Sequence, residues 1–500
     1  MKIFHSILCL CLSSLVSWGQ TPDSFQVNMY KQFLNQKASS QLTEQLYNNR
    51  LFTKALLRES AQNTRKRIYA SQDTTLIRQY EAWIAKRAWY GRLLDWTDST
   101  RKRKGVDLAK LAQEVNNLEK NLQKGLLRKS TKFTRKLEEY VPHTWQEIQQ
   151  KLKVGEVAIE IIRARQYDKK QSNLIYYTAL VVTPKSTQPI AVFLKNGNAL
   201  ENQGLKEYLQ SYGQDRVSFA RFWQPIHAQL MKAYPAVKKV YLSSDGVYHR
   251  VNLETLRDLA NNEFVFDKYD IQRVSNTKNI LRRGKKADPS PKKQAVLVGL
   301  PSKELKEVQQ LLQDQQWKVK THTQAETIKD SLKQLKSPPV IHMATHGYYI
   351  SQDSLKKLKN GQTSEQKYLQ NPLFRAGLWW PKKTSKSIQN KEVLSAFEAQ
   401  NLPLHQTDLV VLSADETALG LIQNGEGVYG LPRALHSAGA KYVLASFWKI
   451  NREATQQLMQ YFYRFHNEGK PYHQALRLAK QQLRKAYPHP KDWGAFVLLE

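Results

Sequence analysis

The chain has 500 residues, with 77 Lys and Arg against 43 Asp and Glu, a formal net charge of +34. An apolar fraction of 41% with 24% charged residues is that of a folded chain, and 21 glycines and 18 prolines are too few for a collagen-like or disordered one. The length leaves room for roughly two to four domains, and the charge favours anionic partners.

Residues 1–19 read as a secretory signal peptide. Met1-Lys2 is a basic start, residues 3–12 are mostly apolar, and Ser17 and Gly19 are small. The run is shorter than the ~20 residues a membrane span needs. The protein is therefore expected to be exported, to a periplasm or to the exterior. Cleavage after Gly19 would remove Cys9 and Cys11, the two cysteines of the chain. The mature protein would then have no disulfide, no thiolate metal site and no cysteine nucleophile.

Residues 20–141 are expected to be all helical: they are rich in Leu, Lys, Arg, Gln and Glu, and Pro22 is the only proline before Pro142. Leu108, Leu111, Val115, Leu118 and Leu122 recur at three- and four-residue spacing, the pattern of one buried helix face. Arg101-Lys102-Arg103-Lys104-Gly105 reads as a solvated break between helices.

The character changes near residue 142. Strands are predicted at 157–162, 174–183, 190–194 and 240–246. The basic, proline-broken stretch 282–293 reads as an exposed linker. Beyond it the pattern alternates: strand 294–299, helix 305–316, strands 339–344, 408–413 and 442–446, helix 453–465. Short, nearly continuous apolar strands between helices imply an α/β domain with a largely parallel sheet buried on both faces. In such sheets chemistry sits on loops leaving the carboxyl ends of strands.

Two of these strands end in loaded turns: Ala344-Thr345-His346-Gly347, and Leu412-Ser413-Ala414-Asp415-Glu416-Thr417-Ala418-Leu419-Gly420. A histidine at one strand end and a nucleophile at the next is the layout of a dyad peptidase, in which an imidazole takes the proton of a group attacking a carbonyl. Gly347 would turn tightly and offer an amide to an oxyanion. Both motifs resemble those of CHAT-domain proteins, of the caspase, separase and gingipain clan. Further resemblance lies in Gly425-Glu426-Gly427-Val428-Tyr429-Gly430-Leu431-Pro432-Arg433-Ala434, in residues 438–450, in His489-Pro490-Lys491-Asp492-Trp493-Gly494-Ala495-Phe496 and in residues 243–256. Together these span roughly residues 145–500. The resemblance implies a caspase-like α/β domain there, preceded by an all-α region that serves as a partner-binding arm.

The resemblance also implies a departure. The position of the family's catalytic cysteine falls on Asp415, and a family glycine on Ala418. A carboxylate attacking an amide would form a mixed anhydride, which is uphill, whereas a thiolate suits the step. Glu416 is the nearest second carboxylate, Ser413 the nearest hydroxyl. Three readings follow: a degenerate peptidase homologue used in binding or scaffolding through a protein or peptide partner; a hydrolase in which Asp415 and His346 activate water; and a basic protein binding an anionic surface polymer. Asp415 and His346 are expected to face each other as a charge pair. His342, four residues from His346, is expected to be a core histidine, since that spacing does not converge on a metal at a strand end. His249, His405 and His436 have no visible partners, Asp245-Gly246 reads as a turn, and no cofactor, metal or nucleic-acid motif is implied.

Overall fold

The computed structural model describes residues 40–55, 63–65, 67–94, 98–128, 143–167, 173–194, 196–283, 293–357, 369–381 and 391–500. The signal peptide, both cysteines and most of the 282–293 linker lie outside these residues.

The N-terminal region is helical where described: α1 (Ser40–Thr53), α2 (Thr74–Leu94), α3 (Asp98–Arg103) and α4 (Leu108–Arg128). The apolar stripe of α4 does what its spacing predicts. Leu111, Val115 and Leu122 are buried, and Leu122 joins Ile68, Leu76 and Tyr80 in a small core with α2. The basic break needs correcting at one residue: Arg101 is buried and donates to the Leu93 carbonyl (3.0 Å). The chain turns there because Gly105 takes φ +63°.

One sheet of 11 strands carries the rest. In chain order its strands are β1 (Glu156–Tyr167), β2 (Asn173–Val182), β3 (Ile190–Leu194), β4 (Lys239–Ser243), β5 (Asp270–Val274), β6 (Gln294–Gly299), β7 (Lys318–His322), β8 (Val340–Ala344), β9 (Leu409–Ser413), β10 (Tyr442–Ser446) and β11 (Phe496–Leu499). Across the sheet the order is β3-β2-β1-β4-β5-β11-β10-β9-β8-β6-β7. Seven of the ten neighbouring pairs are parallel. The exceptions are the β1–β2 and β2–β3 pairs and the β10–β11 pair. The fold is thus α/β, a largely parallel sheet flanked by helices and preceded by an all-α region.

The β10–β11 reversal has a geometric result the sequence did not suggest. The half carrying β4 and β5 runs opposite to the half carrying β8, β9 and β10, so their carboxyl ends lie at opposite edges of the sheet.

Period-two alternation places the core on both faces. In β1, Val157, Ile159 and Ile161 enter the main core, while Ala158 and Ile162 face a second one. That second core is completed by Leu42, Leu46, Tyr47 and Leu51 of α1. So α1 packs as a layer of the sheet rather than apart from it. Arg282 and Arg283, read as linker, belong to the fold: a 3-10 turn (Thr277–Arg282) leads to Arg283, whose guanidinium holds Glu156 (2.8 Å). No helix of the described residues is long and apolar enough to cross a membrane.

Candidate functional site

β8 and β9 pair in register from Val340↔Leu409 to Ala344↔Ser413. The two loaded turns therefore leave the same sheet edge side by side, as the motifs require, and the Thr345 amide donates to the Ser413 carbonyl (3.2 Å).

His346 does not enter a turn. It opens a strand (His346–Tyr349) of a small antiparallel sheet with Ala376–Pro381 and Lys391–Ser395. Its ring stacks on Trp379, which sits opposite it in the ladder, with centroids 4.3 Å apart and planes at 16°. Thr345 Oγ1 donates to the Trp379 carbonyl (2.6 Å), fixing the same strand from below. Gly347 lies within the strand, so the tight turn expected of it is not made. Glycine is needed there for another reason: a Cβ would overlap the Asp415 carbonyl oxygen and press on Thr417 Cγ2.

The Asp415 carboxylate is spent on the backbone. Its Oδ1 accepts from the Ile450 amide (2.9 Å) in the loop after β10. Among the described residues no Asp415–His346 ion pair within 4 Å is formed, and the expected charge pair is corrected on that point. The physical reason is that a main-chain N–H leaving the core needs an acceptor, and the carboxylate supplies it. Glu416 takes the left-handed conformation (φ +55°), and its amide donates to Trp448 O (3.4 Å). The turn is pinned by Thr417 and Ser446: the Ser446 amide donates to Thr417 Oγ1 (2.9 Å), and the Ala418 amide to Ser446 O (2.8 Å). Ser413 is buried within the sheet with its Oγ unpartnered among the described residues, so it offers no exposed hydroxyl. His342 is a core histidine, fully buried between Glu304 (3.0 Å) and the Tyr463 hydroxyl (3.1 Å). Among the described residues no group of three or more His, Cys, Asp or Glu converges as for a metal.

The chain leaving Asp415 forms a hairpin, Gly420–Gln423 and Gly427–Gly430, whose tip reaches the other half of the sheet. There the Gly425 amide donates to Asp245 Oδ1 (3.1 Å). Asp245 follows β4, caps the 3-10 turn Gly246–His249 and is fully buried, so the turn expected there is real. It is also the centre of a network that sequence reasoning missed. Arg50 of α1, 2% exposed, pairs with Asp245. Four residues on, Lys54 Nζ donates to Glu160 (2.8 Å) and to the carbonyls of Ile161 and Ser243 (3.1 Å each). The other Glu160 oxygen accepts from the Thr277 amide and hydroxyl (2.7 and 2.8 Å), and Tyr47 reaches that hydroxyl (3.0 Å). The Asn276 amide group caps the end of α1 at the carbonyls of Arg50, Leu51 and Lys54. Burial alone would raise the Asp245 carboxyl, but Arg50, Lys54 and the Gly425 amide hold it below its usual range. Burial pushes Lys54 down despite Glu160. The only hint in the sequence was two cations one helical turn apart.

The three histidines without visible partners acquire surroundings. His405 stacks on Tyr69 (4.7 Å) and meets Ser337 Oγ (2.9 Å), and His436 Nδ1 meets the Ala440 carbonyl (2.9 Å). His249 lies near Asp245, and burial pushes it down to about 4.

A parallel α/β sheet with a histidine and a carboxylate at the ends of two adjacent strands defines the class of protein. The chain belongs to the CHAT domain family, whose model matches residues 219–500, more than half of its length. Among curated proteins it is 32% identical over 109 residues to tetratricopeptide repeat protein 28 of Mus musculus and of Homo sapiens. That match covers 21% of this chain and 4% of those relatives, so the chain spans only a small part of their length. Solved structures with a similar arrangement include the pro- and mature-domain complex of Porphyromonas gingivalis RgpB (11% identity, TM-score 0.37, 60% of this chain and 75% of that one). Another is the Saccharomyces cerevisiae separase–securin complex (10% identity, TM-score 0.38, 71% and 30%).

Proposed function

We propose that this is an exported CHAT-domain protein in which the peptidase dyad is degenerate, and that it acts by binding a protein or peptide partner rather than by cleaving it. In this reading Asp415 occupies the place of the family's nucleophilic cysteine, His346 that of its base, and Gly347 that of an oxyanion donor. The observation that carries it is the state of Asp415: a carboxylate hydrogen-bonded to the Ile450 amide, in a chain whose two cysteines, Cys9 and Cys11, lie in its first 11 residues. A carboxylate so engaged is a poor nucleophile towards an amide. Water activation by Asp415 and His346 would need the imidazole to hold the carboxylate or a shared water, and the bond to Ile450 works against it. The helical region, packed against the sheet through α1, offers the partner-binding surface.

The test is enzymatic. Purified protein incubated with a broad peptide library should give no cleavage that depends on His346. Asp415→Cys should gain such cleavage, abolished again by His346→Ala, because Trp379 already orients the ring. Cleavage by the natural protein that His346→Ala abolishes would overturn the reading. Export is tested separately: the secreted protein should begin at Gln20.

A further inference from the structure

Beneath the hairpin lies a cavity of about 100 Å³, over the seam where the two half-sheets meet. Its wall is drawn from every part of the molecule that converges there: Lys54 after α1, His249, Arg273 of β5, Phe447 after β10, Val428 of the hairpin and Arg433 of the helix Leu431–Ala438.

Arg273 is the unusual member. It is 8% exposed, yet among the described residues it makes no ion pair within 4 Å. Its acceptors among the described residues are all neutral: Ser244 Oγ and the Tyr248 carbonyl from Nη1 (3.2 Å each), and the Val251 carbonyl from Nη2. Its guanidinium lies over the Phe447 ring (5.2 Å). Three of its five N–H donors are used, and among the described residues no acceptor meets Nε–H or the second Nη2–H. Burial pushes Arg273 down to about 10, opposed at longer range by Glu254, and Glu254 is itself held by Lys480. A buried charge is ordinarily paired. Beside it, His249 Nε2 is buried without a partner. The other cations of the wall are matched, Lys54 by Glu160 and Arg433 by Glu426. Glu500 also lines the cavity, with Oε2 accepting from the Gln272 amide (3.4 Å).

We propose that this cavity is a binding site for a small oxyanion (carboxylate, phosphate or sulfate), held by the free donors of Arg273 with His249 alongside. Arginine's planar fork suits two oxygens on one centre. The volume is enough for one such group. The start of the helix Leu431–Ala438, whose Gly430 cap makes no side-chain bond, adds a favourable field. Bound there, the anion would touch the hairpin from Asp415 and β5 of the opposite half at once, and so tie the two halves together.

The experiment uses the full chain and calorimetric titration with inorganic phosphate, sulfate and acetate, against chloride at equal ionic strength. At least one of the three should bind saturably where chloride does not. Arg273→Lys, which keeps the charge and loses the fork, should weaken binding at least tenfold. Should that variant fail to fold, Val428→Phe fills the cavity from the half-buried hairpin side without removing a charge, and should abolish binding. Phenyl phosphate distinguishes the source. Binding of inorganic phosphate alone assigns a free anion, while equal binding of both assigns the end of a larger ligand. No response beyond chloride, or binding unchanged in both variants, overturns the proposal.

Discussion

Asp245 and Asp415 each follow a strand of the same sheet, and they are treated in opposite ways. Asp245 is fully buried and is neutralised by Arg50, with backbone amides of Gly246 and Gly425 on its other oxygen. Asp415 is half-buried and holds one backbone amide. A carboxylate wholly removed from water must be paired with a cation and satisfied by donors. One that is only half-buried needs less support. The molecule thus invests its electrostatics where α1, the sheet and the hairpin meet, and little of it at the strand ends that the family motifs mark.

The contrast breaks most visibly at Arg50. Arg50→Ala leaves Asp245 without its closest cation, and the expected loss is about 3–5 kcal/mol, measured by denaturant unfolding. Asp415→Asn should cost about 1 kcal/mol or less, the value of one exchanged hydrogen bond. Equal losses would erase the difference between the two carboxylates. An intermediate effect is expected at Gly347. Gly347→Ala drives a methyl into the Asp415 carbonyl, and overpacking of this kind costs about 1–3 kcal/mol. Its readout should include displacement of the His346 ring, seen as a changed imidazole NMR signal.

A comparably small effect sharpens the comparison through pH. Asp270, at the start of β5, is raised by burial but more strongly lowered by its bond to His473 and by Lys239 and Arg477, to about 2. Its unfolded value is about 3.9. The depressed carboxyl contributes stability that is fully present above about pH 4 and is lost as pH falls through about 2. Asp270→Asn should therefore lower stability by roughly 1 kcal/mol at neutral pH, given its partial exposure. The difference from the natural chain should vanish near pH 2 in acid-unfolding curves.

The sequence made the site's position legible because β8 and β9 are continuous apolar runs, and such runs announce a strand buried on both faces. It hid β5 and β7. Asp270–Val274 and Lys318–His322 interleave charged residues, since β7 is an edge strand and keeps Lys318 and Lys320 towards water. The direction of Asp415 was not legible either. What settles it is a main-chain amide 35 residues away, and side-chain chemistry carries no trace of that. Nothing in the sequence pairs Arg50 or Lys54 with a carboxylate. Their carboxylates lie 195 and 106 residues further along the chain, and only the fold brings them together.

The strand that joins the half-sheets is β11, and its hold on the two sides is unequal. It pairs with β10 over four residues and with β5 at Leu499↔Arg273 alone. It is also the last of the described elements to leave the ribosome. Each half can assemble its own strands beforehand, but they cannot share one sheet until Phe496–Leu499 has been made. The closing step of folding is therefore a long-range one, of the kind that is slow and leaves strand edges open in the meantime. For a nascent chain this postpones the joined sheet until residues 496–499 have been made.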